Sequence, residues 1–118
     1  MVTYEFNRAL RLLTPDHFQS VFSNPIRFGS HHFTVLITKN TENNARLGFA
    51  IAKKRIKLAT ERNRIKRLTR QSFRVNQYNL PNIDIVFMAK SGADKLDNQE
   101  ITKQIEKIWR NIIQRHKN

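Results

Sequence analysis

Arg62, Asn63, Arg64, Lys66, Arg67, Arg70 and Arg74 crowd into the stretch Glu61-Arg-Asn-Arg-Ile-Lys-Arg-Leu-Thr-Arg-Gln-Ser-Phe-Arg74, and Lys53, Lys54, Arg55 and Lys57 stand just ahead of it. Side chains of this kind make charge-assisted hydrogen bonds to phosphate oxygens, and an amide among them can pair with a base or a 2′-hydroxyl. From Lys53 to Arg74 the chain holds ten of its 22 Lys and Arg residues and one acid, Glu61, so the stretch carries +9 of the formal +13. The charge is a local feature. A cationic face kept for solubility is the plain alternative, but solubility asks only for net charge and gives no reason to gather it on one element. Like charges at i,i+4 cost a helix a few tenths of a kcal/mol per pair, roughly, so an all-basic face points to a polyanion that supplies compensating contacts.

Groups for covalent or acid–base chemistry are sparse by comparison. His31 and His32 are sequence neighbours and on a strand would point to opposite faces, while His17 and His116 belong to separate helices. Asp84 interrupts an apolar run, either as a carboxylate with a perturbed pKa or as a hydrogen-bonded residue at a sheet edge. Asp94, Asp97 and Glu100 read as turn and cap residues. No carboxylate cluster suited to two-metal phosphoryl chemistry is evident, and the phosphate-loop, dinucleotide and zinc-protease motifs are absent. With no Cys, disulfides, Cys-ligated zinc and thiol catalysis are excluded together. No catalytic residue and no metal site is expected on the protein, which reads as a binding module.

The element that must present the cations is a helix over residues 59–74. At about 100° per residue, Ile65, Leu68, Thr69 and Ser72 share one side, and Asn63, Lys66, Arg67, Arg70 and Arg74 the other. Arg62 and Arg64 fall on the flanks, where their stems can lie along the core while the guanidinium groups reach water or phosphate. Thr60 is a candidate N-cap.

Ahead of it, residues 1–13 read as an irregular arm. Thr14-Pro15-Asp16 opens a helix with a cap, a Pro at N1 and an acid suited to the dipole, and Asn24-Pro25 stops it. Phe18, Val21 and Phe22 share a face there, a pattern usual for a core. A short strand is expected over 26–28, and alternation over 31–38 places Phe33, Val35 and Ile37 on one side and Thr34, Leu36 and Thr38 on the other. A polar turn over 39–44 leads to a strand over 45–52, so that the two strands form an antiparallel hairpin; Gly48 allows a close approach or a bulge. After the basic helix, residues 83–89 make a nearly wholly apolar strand for the sheet interior. Asp97 caps a last helix whose Ile101, Ile105, Ile108, Trp109, Ile112 and Ile113 must cover a sheet face. The order α-β-β-(β)-α-β-α implies an α+β fold, a two-layer α/β sandwich.

These elements make one domain over residues 1–118, with 39% hydrophobic residues and eight Phe to build its core. A pI of about 11.0 makes nucleic acid the first partner to consider and an anionic membrane surface the second. No apolar run is long enough to span a bilayer, and the start Met-Val-Thr-Tyr-Glu-Phe has no secretory character. Cytoplasmic residence with no membrane partner is the expectation. The absence of a helix-turn-helix or zinc scaffold favours phosphate recognition over base readout.

Glu61-Arg-Asn-Arg-Ile-Lys-Arg67, followed by Leu68, Arg70, Phe73 and Arg74 and preceded by Lys53-Lys54, resembles the Arg-Asn-Arg signature of the bacterial ribonuclease P protein component. Arg11-Leu-Leu-Thr-Pro15 leading to Phe18 and Phe22, Leu47-Gly-Phe-Ala-Ile-Ala-Lys53 and Glu106-Lys-Ile-Trp109 extend the likeness over nearly the whole chain, and the spacing from Lys54 to Arg62 is similar to that of the gammaproteobacterial branch. The resemblance implies a protein subunit that joins a catalytic RNA, one protein per RNA, to remove the 5′ leader from precursor tRNA, with Mg²⁺ held mainly by the RNA and the protein alone inactive. It implies a left-handed β-α-β crossover, against the usual right-handed rule. Carried over by position, Arg62, Asn63, Arg64, Lys66, Arg67 and Arg70 would face the catalytic RNA, supported by Lys53, Lys54 and Arg74. Phe18, Phe22, Phe33, Val35, Leu36 and Ile37 would line a cleft for the single-stranded leader. Leu36 stands where some members have a Tyr and offers no ring for stacking. A structural, ribosomal-protein-like RNA-binding protein without a role in tRNA processing is the competing reading.

Overall fold

Pro15–Ser23 (α1), Ile26–Gly29 (β1), Phe33–Lys39 (β2), Arg46–Phe49 (β3), Ala59–Asn76 (α2), Ile83–Ala89 (β4) and Asn98–Arg115 (α3) follow one another in the computed structural model, which describes residue 11 and residues 14–116. The arm expected over 1–13 lies outside the described residues apart from Arg11, which bridges in parallel to Leu47. The ends of the helices are where their capping chemistry puts them. Thr14 accepts from the His17 N–H at 3.3 Å at the start of α1, and Asp97 accepts from the Glu100 N–H at 2.8 Å at the start of α3. The N-cap of α2 is Leu58 rather than Thr60 and makes no side-chain hydrogen bond. Arg62 ties the preceding turn to the helix, donating from Nη1 to the carbonyl oxygens of Ile56 (2.8 Å) and Lys57 (2.9 Å).

The four strands form one sheet in the order β1-β2-β4-β3, in which β1–β2 and β2–β4 are antiparallel and β3–β4 is parallel. This corrects the expected β2–β3 hairpin. The tight turn lies between β1 and β2 at Gly29–Phe33, whereas β3 is carried past β2 to the outer edge of β4. The reason is burial: β4 is apolar on both faces, with Ile83, Ile85, Val86 and Phe87 all at most 1% exposed, and such a strand belongs between two neighbours. The link from β3 to parallel β4 runs through α2, which supplies the β-α-β crossover.

Strand alternation then divides the molecule. Phe33, Val35 and Ile37 on β2, Leu47 and Phe49 on β3, and Ile83, Ile85 and Phe87 on β4 face α2 and α3, where Ile65, Leu68, Phe73, Ile101, Ile105, Ile108, Trp109 and Ile112 meet them. Trp109 donates to the Ser72 hydroxyl at 2.9 Å and packs edge-on to Phe73, joining the two long helices. The opposite face presents Leu36, Val86 and Met88 to Val21 and Phe18 of α1. Since α1 has only 9 residues, it covers part of that face and leaves the rest open.

Candidate nucleic-acid interface

The apolar stripe of α2 is buried as its periodicity requires, through Ile65, Leu68, Thr69, Ser72 and Phe73. That burial turns the helix so that Asn63 and Arg67 are exposed and Lys66, Arg70 and Arg74 are half-buried on the outer side. Lys53 and Lys54 are exposed in the turn between β3 and α2, anchored by the wholly buried Ile56. The Arg62 bonds to Ile56 and Lys57 hold this turn against the helix, so the lysines and the helical cations form one surface. Arg70 lies over the Phe49 ring, 5.2 Å from its centroid. Burial, and after it the charge of Arg11, push the Arg70 guanidinium below its ordinary pKa. A cation held in such a place gains from an approaching anion.

Arg64 departs from the outward-facing arrangement. Its guanidinium bonds to Glu61 from Nε (2.9 Å) and Nη2 (2.8 Å), to Asn98 Oδ1 from Nη1 (2.7 Å), and to the carbonyl oxygens of Asp94 (3.2 Å) and Leu96 (3.0 Å) from Nη2. It fastens α2 to the 3₁₀ turn Ala93–Lys95 and the start of α3. Periodicity places a residue on a flank but says nothing of the carbonyls that the fold brings up to it.

Of the residues expected to line a leader cleft, Phe33, Val35 and Ile37 do not. Each is 0% exposed and points into the core beneath α2 and α3. Leu36 is on the other face and borders an open cavity of about 260 Å³ with Arg27, Thr34, Arg55, Met88 and Lys90. Phe18 is half-buried against this face, and Phe22, at 46% exposed, stands out from α1. Alternation alone could have found Thr34, which shares the side of Leu36; Arg27 and Met88 required the register, in which they sit opposite Leu36 and Thr34. Arg55 was invisible because it arrives from the turn before α2. It makes the basic surface continuous with the cleft.

Asp84 is not at a sheet edge: on interior β4, it accepts from Arg46 Nε and Nη2 at 2.8 and 2.7 Å and from Asn40 Nδ2 at 2.8 Å. The Asp84 hydrogen bonds hold the Arg46 guanidinium above its ordinary pKa, against the effect of burial. His31 and His32 precede β2 rather than lying within it, so they do not alternate, and their rings are 5.2 Å apart. Among the described residues no three His, Asp or Glu side chains gather as a metal-binding set.

The family model described as Ribonuclease P matches residues 6–113. The chain is 50% identical over 117 residues to the ribonuclease P protein component of Pseudoalteromonas translucida, covering 99% of this chain and 84% of that one. It is similar in structure to the Staphylococcus aureus RNase P protein, with a TM-score of 0.80, 27% identity and coverage of 88% and 95% of the two chains. The Thermotoga maritima RNase P protein superposes with a TM-score of 0.76 at 27% identity, over 86% of this chain and 96% of that one.

Proposed function

The chain belongs to the ribonuclease P protein family, and from that premise we propose how its surfaces are divided between the catalytic RNA and the substrate. It is the protein subunit of ribonuclease P, whose partners are the ribonuclease P RNA and precursor tRNA, and it acts in the removal of the 5′ leader. On our reading the outer side of α2, through Asn63, Lys66, Arg67, Arg70 and Arg74, binds the backbone of the catalytic RNA, with Lys53 and Lys54 beside it. Arg62 contributes the donors on Nε and Nη2 that its bonds to the turn leave over. Arg64 acts by holding the helix in place. The leader lies in the open part of the sheet face, against Leu36, Thr34 and Met88, with Arg27, Arg55 and Lys90 for its phosphates and Phe18 and Phe22 at the side for its bases.

The observation that carries this division is the continuity of the two surfaces through Arg55. A strand leaving a substrate held at the catalytic RNA can enter the cleft without crossing an uncharged surface. The chemistry belongs to the RNA subunit and its Mg²⁺, one protein serves one RNA, and the complex works in the cytoplasm without a membrane partner. No helix of the described residues is long and apolar enough to cross a membrane. A protein of +13 lowers the repulsion between two RNAs, so the complete enzyme needs less Mg²⁺ and holds precursor more tightly than mature tRNA.

Cleavage of a 5′-extended precursor at low Mg²⁺ tests this, with protein alone, ribonuclease P RNA alone, and both. Activity is expected only in the combined reaction and is reduced by Arg67→Ala. Cleavage by the protein alone would reveal a catalytic site on it, and an unstimulated RNA would leave a general RNA-binding protein.

A further inference from the structure

A second cationic site lies away from α2, where the turn after β1 meets the outer face of α3. It borders a cavity of about 560 Å³, and Gln104 of α3 organises it. The Gln104 Oε1 accepts from the Ser30 hydroxyl at 2.8 Å and from the His32 backbone N–H at 3.0 Å, and the Ser30 carbonyl accepts from Lys90 Nζ at 3.0 Å. A backbone N–H can only donate, so these bonds settle which end of the amide is oxygen. Its Nε2 must then donate to His32 Nδ1, 3.0 Å away. Neutral His32 therefore carries its proton on Nε2, and its ring borders the cavity.

Lys103, Lys107 and Arg110 stand on the same side of α3, rising by about 6 Å and then 4.5 Å along the axis, a spacing of the order of successive phosphates on a strand. All are exposed. Among the described residues none of the three forms an ion pair. The one carboxylate at the cavity, Glu100, sits at its N-terminal end and faces the Gln104 amide at 3.4 Å. Three unpaired cations repel a metal ion, and a row of them with an imidazole donor suits an extended anion.

We propose that this cavity is a second RNA-phosphate site, separate from the basic face of α2 and borne by the opposite flank of the helical layer. The inference rests on the subunit reading above, since it takes its RNA from the same complex. Either the catalytic RNA or the precursor could supply the phosphates.

The test is equilibrium binding over a range of salt concentrations, of the protein to ribonuclease P RNA and of the reconstituted enzyme to precursor tRNA. The triple variant Lys103→Ala, Lys107→Ala, Arg110→Ala is compared with a control that removes the same charge from scattered exposed positions, Lys39→Ala, Lys95→Ala, Arg115→Ala. The triple variant is expected to weaken one of the two complexes about tenfold and to make its salt slope shallower by about 2, while the control stays within about twofold. The complex that weakens identifies the source of the phosphates. His32→Phe is expected to give a smaller loss than the triple variant, because it removes one hydrogen-bond donor and leaves the row of three cations in place. Equal losses in the triple variant and the control would reduce the site to net charge and overturn it. An unaffected triple variant overturns this site alone if Arg67→Ala still weakens binding, and the α2 interface as well if Arg67→Ala does not.

Discussion

Arg64 and Arg67 stand one helical turn apart on α2 and do different work. Arg67 is exposed, whereas every nitrogen of the Arg64 guanidinium is engaged with Glu61, Asn98 or the carbonyls of residues 94 and 96. Removing one partner from such a network leaves polar groups without their bonds, at a cost of about 1–3 kcal/mol. Arg64→Ala is therefore expected to lower the thermal midpoint of the free protein and to weaken RNA binding only as a consequence. Arg67→Ala should leave the melt unchanged and lower RNA affinity directly, with a salt slope shallower by about 0.7–0.9 for one phosphate contact. Thermal melts beside salt-dependent binding measure both; equal melts for the two variants would refute the positioning role of Arg64.

At the scale of the element, β2 shows how one strand serves two purposes. Its odd-numbered side chains are sealed beneath α2 and α3, and its even-numbered ones face α1 and the cleft. Ile37→Ala removes a wholly buried side chain and is expected to destabilise the fold by about 2–5 kcal/mol, read as a lower denaturation midpoint. Leu36→Ala, one residue away, is expected to cost less stability and to weaken binding of leader-bearing precursor while leaving mature tRNA unaffected. Measured affinities for the two tRNAs decide it, and an equal effect on both would place the leader elsewhere. The α2 helix carries its own division, since its start has no side-chain cap and Arg62 instead fastens the turn before it through the Ile56 and Lys57 carbonyls.

For the whole molecule, the decisive step is the insertion of β4 between β2 and β3, which joins residues far apart in the chain. Arg46 and Asp84 face each other across the parallel pair, their side chains only 16% and 5% exposed. Breaking a buried pair from one side leaves the other charge uncompensated and costs about 3–5 kcal/mol. Asp84→Ala is thus expected to lower the denaturation midpoint steeply through loss of β3 from the sheet, whereas replacing both partners with apolar residues restores much of the stability. Chemical denaturation of the single and double variants provides the check, and additive losses would show that the pair does not couple.

Much of this was legible in the chain itself, and the rest was not for definite reasons. Local chemistry determined the caps at Thr14 and Asp97, the stop at Asn24-Pro25, the buried stripes of α2 and α3, and the concentration of charge from Lys53 to Arg74; each depends on neighbours within a turn or two. Strand alternation already separated Phe33, Val35 and Ile37 from Leu36, but not which set met the long helices, because both faces of a sheet read alike until the helices are placed. The pairing of β3 with β4 rather than β2, the inward turn of Arg64, the arrival of Arg55 at the cleft and the anchoring of His32 by Gln104 were decided by tertiary structure alone. They depend on contacts between residues distant in sequence, and periodicity carries no information about such contacts.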